Sequence, residues 1–414
     1  MQPEATETDV KTCDVVILGA GYAGLLAALR LRRRNQPPRI VLVSRDDRFV
    51  ERVRLQETIV TELAPPFPSI TALVTGNGVE FMRGEVTHLD PVHRRVTIAD
   101  RGKERVIGFG QAIYALGSVI DLDKVDGAAE HAYRLEPGDG DRGVAALRAK
   151  LKESAGRTLR VTVIGGAETG IEAAAEIKTA HPAAMVSMVS RAPCGSFKGP
   201  RVARAVRHEL AGLGVAMIDG ETVVAASAAE LTLASGRKLA SDVCVLAGGL
   251  RSPPIAAQAG IAIDAKGRVL VDPNLRSISH PHVIAIGDAA RPMSPTGAPY
   301  RLSAFAALVS GAYAADLIRA ERAGRELPPF SFSTFGQGVA IGRHGVGFPT
   351  FPNDRAVAPL FTGRTAIHIR NFFVRLLIRI LRLERRFPGA FFWLGRRRVS
   401  WQKAKATMRE AVQT

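Results

Sequence analysis

Cysteine is scarce in this 414-residue chain. Cys13, Cys194 and Cys244 stand far apart, with no C-x-x-C or C-x4-C pair. That excludes a zinc ribbon and a redox dithiol, and it fits a reducing, intracellular setting. The nine histidines show no metal-ligand spacing, so no metal centre is expected. His344, in GRHG, gains no role from a loop position alone. There is neither a G-x-S-x-G elbow nor a P-loop, which removes the serine-hydrolase and P-loop chemistries. The C-terminal tail has no stretch approaching the roughly 18 uncharged residues that a membrane span needs. The first dozen residues, MQPEATETDVKT, lack the apolar stretch of a secretory signal. Acid is short as well, with 39 Asp+Glu against 56 Lys+Arg and a net charge of +17. From Phe361 onward there are 13 Lys/Arg and only two acids, Glu384 and Glu410, so this tail carries +11 of that charge. The basicity belongs to a C-terminal appendage rather than to the whole surface.

What is present is a motif stated twice. The length allows two to three domains, and 46% hydrophobic with 23% charged residues is an ordinary globular composition. Val15–Ala28 reads VVILGAGYAGLLAA, a buried-type parallel strand, a turn and a helix. Gly19, Gly21 and Gly24 fall in G-x-G-x-x-G spacing. The first permits a tight turn, the second lets backbone approach a pyrophosphate, and the third lets the helix pack closely on the strand. Phosphate then rests on free N–H groups at the helix N-terminus. The acid usual at the end of the second strand is missing. Ser44-Arg45 stands there, and Asp46 is the nearest carboxylate for a ribose hydroxyl.

Val161–Ala174, VTVIGGAETGIEAA, repeats the unit with Gly165, Ala167 and Gly170 at the motif positions. A methyl group at Ala167 is tolerable, and a second dinucleotide is the expected occupant. Two such units suggest one retained cofactor and one exchangeable one, placed so that electrons pass between them.

Further segments carry a resemblance. HVIAIGDAA (282–290) is similar to the strand by which two-dinucleotide flavoproteins hold the ribityl chain of FAD, with Gly287 at the turn and Asp288 accepting hydroxyls. YALGS, containing Gly117, is similar to their A-T-G segment. With LGAGYAGLLAA, GGAETGIEAAAE, AGGLRSPP and FSTFGQGVAIGRHG, the chain from about residue 12 to 395 resembles the FAD/NAD(P)H two-dinucleotide oxidoreductases, and within them the type II NADH dehydrogenase-like quinone reductases. The resemblance implies an α/β fold with two Rossmann-like units arranged as in glutathione reductase, the nicotinamide domain inserted into the FAD domain. A C-terminal α+β segment with an amphipathic helix follows. Residues 1–125 and 263–325 would form the FAD domain, 126–262 the NAD(P)H domain, and 326–414 the C-terminal region. FAD and NAD(P)H are the implied cofactors. Glu172 would sit near nicotinamide and flavin, with a plain salt-bridge role as its alternative.

Three departures bear on function. Respiratory members usually carry glutamines on the helix after the flavin Asp, where this chain has Leu308, Val309 and Ser310, so an apolar acceptor wall is expected there. The second unit's second strand ends in Ser190-Arg191, with Lys198 and Arg201 nearby. Arginine pairs with a 2′-phosphate that a carboxylate would repel, so NADPH is favoured over NADH. With no dithiol, electrons must leave flavin directly for an acceptor.

The tail segment AIHIRNFFVRLLIRILRLERRF places His368, Arg375, Arg379, Arg382 and Arg386 on one helical edge. Ile369, Phe372, Phe373, Val374, Leu376, Leu377, Ile380, Leu381 and Leu383 occupy most of the remaining circle, while Arg370 and Arg385 lie off the basic edge. With FPGAFFWLGRRR behind it, residues 366–398 are expected to lie on a membrane surface. The alternative is a helix docked on its own protein or on a twin subunit in a homodimer. The expected enzyme is a peripheral oxidoreductase on the cytoplasmic, inner face of the cell membrane, passing hydride from NAD(P)H through flavin to a lipophilic quinone-like acceptor. A reductase tailoring a lipophilic aromatic (quinone- or quinolone-like) metabolite is the second reading. A flavin-bearing nucleic-acid binder resembling apoptosis-inducing factor is the third, although arginines interleaved with large apolar residues suit a bilayer better, and no nucleic acid is expected.

Overall fold

The computed structural model describes residues 10–393 apart from 33–37, 62–66, 77, 137–139, 155–157, 295–296, 298 and 351–353. The tail arginines from Arg396 onward, and with them the end of the 366–398 segment, lie outside the described residues.

The first sheet contains β1 (Lys11–Leu18), β2 (Ile40–Ser44), β3 (Val79–Arg83), β4 (Glu85–Asp90), β5 (Arg95–Asp100) and β6 (Lys103–Tyr114) in the order β3-β2-β1-β6-β5-β4. The pairs β1–β2, β2–β3 and β1–β6 are parallel. β6 is long enough to serve two partners on one edge: β5 pairs antiparallel with its first half, and a strand from much later in the chain, Val283–Ala285, pairs parallel with Ala112–Tyr114. That late strand brings Gly287 and Asp288 beside the end of β1. Val15, Val16, Ile17 and Leu18 are at most 1% exposed, as a strand covered on both faces requires.

The second sheet is wholly parallel. It is built from β7 (Ala132–Arg134), β8 (Arg160–Ile164), β9 (Met185–Ser190), β10 (Ala216–Asp219) and β11 (Val243–Leu246), in the order β10-β9-β8-β11-β7. In each sheet the strand before the glycine turn lies between a neighbour that follows it directly and one that arrives after an excursion, which is where doubly wound sheets open a crevice for ligands. α1 (Tyr22–Leu31) and α2 (Glu168–Ala180) are the helices that leave the two turns, and α3 (Pro200–Leu213) covers the second sheet.

α4 (Ala304–Arg322) lies against α1, so close that a Cβ on Gly311 would stand 2.2 Å from the Ala23 carbonyl oxygen. The C-terminal unit is an antiparallel hairpin, β12 (Gly336–Ile341) and β13 (His344–Pro349), followed by α5 (Gly363–Arg386). Val339, Ile341, Val346 and Phe348 enter the core of the second Rossmann unit. The hairpin's other face is glycine and seats α5: a Cβ on Gly338 would lie 3.0 Å from the Arg370 side chain, and one on Gly345 would lie 3.2 Å from the Ile367 nitrogen.

This seat takes up part of the apolar face of the tail helix. The apolar arc of α5 is divided: Leu377, Ile380 and Leu381 are buried against the protein, while Phe372 (56% exposed), Phe373 and Leu383 remain outside. Of the two arginines off the basic edge, Arg385 is exposed and Arg370 shows why. Arg370 is buried, and Glu384 is fully buried on Arg30 of α1 at 2.9 Å, where Arg30 also grips Asp316 of α4 through two bonds of 2.8 and 2.9 Å. Glu384 also accepts the amides of Gly389 and Phe391. A buried guanidinium requires such saturation of its donors.

Candidate functional site

The two glycine turns are built alike. Gly19 (φ +104°) and Gly165 (φ +128°) occupy backbone closed to other residues. A Cβ on Gly24 would stand 1.9 Å from the Gly19 oxygen, and one on Gly170 would stand 2.0 Å from the Gly165 oxygen, so both helices start in contact with their own turns. The middle positions differ in need. Gly21 (φ −72°, ψ −169°) and Ala167 (φ −93°, ψ −179°) are helix N-caps in extended backbone that any residue adopts, which is why alanine stands in the second unit. A Cβ on Gly21 would meet nothing within 4 Å, so the amides there face open space fit for a pyrophosphate.

Gly287 (φ +63°) turns the late strand against Ala23, and Ser310 of α4 accepts the Gly287 amide at 3.0 Å. Asp288 receives the Ser118 hydroxyl at 3.1 Å, and Arg52 donates to the Ser118 carbonyl at 3.0 Å. Burial pushes the Asp288 carboxyl up, and the Ser118 bond and Arg52 pull it back. A half-buried carboxylate with one hydroxyl partner beside open glycine backbone (Gly117 has nothing within 4 Å of its Cβ position) suits a polyhydroxyl chain. A shallow cleft opens here among Gly287, Asp288, Tyr300, Arg301, Ser303 and Phe332. These residues fit FAD. Asp46 lies just past β2, half-exposed, 3.9 Å from Arg45.

At the second unit, Gly166 is required for a reason that the motif does not state: its Cβ would lie 2.7 Å from the Ser190 side chain. Ser190 is spent on the Ala192 carbonyl at 2.7 Å and on Asp219 at 3.3 Å. Arg191 is exposed at the end of β9. Lys198, expected beside it, instead donates to the Asp354 carboxylate at 2.7 Å.

Glu172 is buried on α2. Its Oε2 accepts from Gln56 at 2.5 Å and from Arg370 at 3.0 Å, and its Oε1 accepts the Ala340 amide at 2.9 Å. Burial raises this carboxyl and Arg370 opposes the rise. One turn on, burial beside Glu57 and Glu172 pushes Glu176 up to about 7.

The apolar acceptor wall is corrected. Leu308 and Val309 are wholly buried in the core between α4 and α1, and Ser310 is tied to Gly287. Near the start of α4, the half-buried Phe305 is edge-on to Phe335 at 6.1 Å, and Phe335 is 47% exposed. The cysteines are free and buried, and burial pushes Cys194 and Cys244 up to about 12, which keeps them out of redox chemistry.

Sequence reading missed Ser118, Ser310, Gly311, Gln56, Arg370 and the Arg30 cluster. Each works across long sequence separations, and only Gly311, in a run of small residues, left a local trace.

The model of the pyridine nucleotide-disulphide oxidoreductase family matches residues 13–301. An NADH dehydrogenase-like protein of Mycobacterium tuberculosis is 30% identical over 298 residues, 67% of this chain and 72% of that protein. A demethylphylloquinone reductase of Synechocystis sp. is 25% identical over 346 residues, 80% of this chain and 85% of that one. The structure of NDH2 from Plasmodium falciparum in complex with NADH superposes with a TM-score of 0.75 at 15% identity, over 94% of this chain and 100% of that one.

Proposed function

The chain belongs to the pyridine nucleotide-disulphide oxidoreductase family, and from that premise we propose that it is an FAD-dependent NAD(P)H dehydrogenase whose acceptor is a lipophilic quinone at a membrane surface. The observation that carries this is the pair of equivalent glycine turns, one beside Asp288 and the other beside Arg191. FAD, when bound, supplies the chemistry: it takes hydride from a nicotinamide and returns two electrons to an acceptor. The chain supplies position. Gly19 and Gly21 present backbone to the pyrophosphate while Gly24 seats α1 on the turn, Asp288 and the open backbone at Gly117 take the ribityl chain, and Asp46, just past β2, is the carboxylate for a ribose hydroxyl. Gly165, Ala167 and Gly170 hold the nicotinamide nucleotide, with Arg191 supporting NADPH through its 2′-phosphate. Glu172 belongs to the nicotinamide side through α2, and its ion pair to Arg370 fixes that helix against α5.

The relative named as a demethylphylloquinone reductase supports the acceptor class, and the Phe305–Phe335 pair favours a flat ring. For the surface, α5 keeps Phe372, Phe373 and Leu383 outside beside exposed Arg375, Arg379, Arg382 and Arg386. No helix among the described residues is long and apolar enough to cross a membrane, so the proposal is a helix lying in the headgroup layer on the cytoplasmic side. Turnover of NAD(P)H by the holoenzyme with a long-chain quinone in anionic vesicles, against small soluble aromatic acceptors, tests it. Faster turnover with the vesicle quinone supports the proposal, and turnover confined to small aromatic acceptors moves the function to metabolite tailoring.

A further inference from the structure

We propose that Asp354 sets nucleotide selectivity by competing with the 2′-phosphate of NADPH for Lys198. This rests on reading the second glycine turn as the nicotinamide nucleotide site.

The segment between β9 and α3 lies on that turn: the Gly195 amide donates to the Gly166 carbonyl at 3.0 Å. From Ser190 through this segment to His208 on α3 there is no acid; Arg191 and Lys198 lie in the segment, and Arg201, Arg204 and Arg207 follow on α3. Asp219, at the end of β10, is occupied by Arg207, by the Cys194 amide at 2.9 Å and by Ser190. Arg191 and Arg201 are exposed and in no ion pair among the described residues. Lys198, unlike Arg191 and Arg201, is ion-paired. Its side chain is 10% exposed, and Nζ donates to the Asp354 carboxylate at 2.7 Å and to the Asp354 carbonyl at 2.6 Å.

Two features make this an exchangeable contact. Lys198 stands between Gly195 (φ +79°) and Gly199 (φ +92°), and its flexible four-carbon stem lets the ammonium swing without moving backbone. Asp354, in left-handed backbone at φ +56°, has other company: the Thr334 hydroxyl at 3.2 Å and Arg301 Nε at 3.8 Å. When Lys198 leaves, the carboxylate is not left as an unpaired charge, the circumstance that makes breaking such pairs costly. A phosphate near −2 outbids a carboxylate for an ammonium on a flexible stem. NADH offers no such group, so with NADH Lys198 stays on Asp354. Asp354 is therefore a positioning residue that taxes NADPH alone.

Calorimetric binding of NADP+ and NAD+ to the holoenzyme tests this in the wild type, Asp354→Asn, Lys198→Ala and the double variant. Asp354→Asn should tighten NADP+ by about tenfold and move NAD+ less than about twofold. Lys198→Ala should weaken NADP+ alone and abolish the gain in the double variant. Equal changes for both nucleotides, or a gain that survives Lys198→Ala, overturns the competition. If Asp354→Asn does not fold, Lys198→Ala decides: an equal effect on both nucleotides overturns the competition. A wild type that binds neither nucleotide overturns the site reading, and the competition with it. Binding of both nucleotides, unchanged in the variants, overturns the competition alone.

Discussion

Arg370 Nη2 donates to Glu172 Oε2 at 3.0 Å, joining two residues 198 positions apart. Arg370 also reaches the Val53 carbonyl at 3.0 Å, so a single guanidinium ties the tail helix, the nucleotide helix α2 and the segment after β2. Arg370→Met leaves a buried carboxylate without its cation. Removing one partner of such a pair costs about 3–5 kcal/mol, and a loss near about 3 kcal/mol is expected by denaturant unfolding. An unfolding midpoint within experimental scatter of wild type contradicts the pairing.

Gly21→Ala separates cradle from fold. Its backbone admits alanine and its Cβ meets no protein atom, so the apoprotein should unfold at the wild-type temperature while flavin affinity falls by about tenfold. Gly24→Ala, 1.9 Å from the Gly19 oxygen, should harm both. Flavin content after dialysis, read by absorbance, checks each.

Glu176 gives a pH signature. Its carboxyl is raised from 4.5 to about 7 in the folded protein, so the folded state holds a proton that the unfolded chain releases. That stabilisation is fully present below about pH 4.5 and is lost as pH rises through about 7. Relative to Glu176→Gln, wild type should lose up to about 3 kcal/mol across that window. A flat difference in unfolding free energy between the two proteins contradicts this.

Arg375, Arg379 and Arg382 are exposed on α5. Each arginine near an anionic surface is worth about 1 kcal/mol, so changing all three to Gln should weaken binding to anionic vesicles by about 100-fold, with the fold intact. Cosedimentation at low and high salt reads this. Wild-type vesicle binding by the triple variant removes α5 as the membrane face.

The glycine turns were legible because their demands are local: a positive φ at Gly19 and a helix pressed on its turn at Gly24 leave a fixed spacing. The tail was half legible. Its arginine edge follows from helical period, but whether Leu377 or Phe372 meets protein depends on the glycine face of β12 and β13, which contacts α5 only after folding. The same holds for Leu308 and Val309, whose burial is set by Gly311 admitting α1. Arg30, in a run of basic residues, gave no sign of its role, because its partners Asp316 and Glu384 lie 286 and 354 residues away.

The most direct measurement is an anaerobic titration of the purified protein with NADH and NADPH in parallel, followed by a soluble quinone. The flavin absorbance should bleach with either nucleotide at one equivalent per flavin and recover when the quinone is added. Absence of flavin, or a flavin that neither nucleotide bleaches, contradicts electron transfer between the two glycine-turn sites.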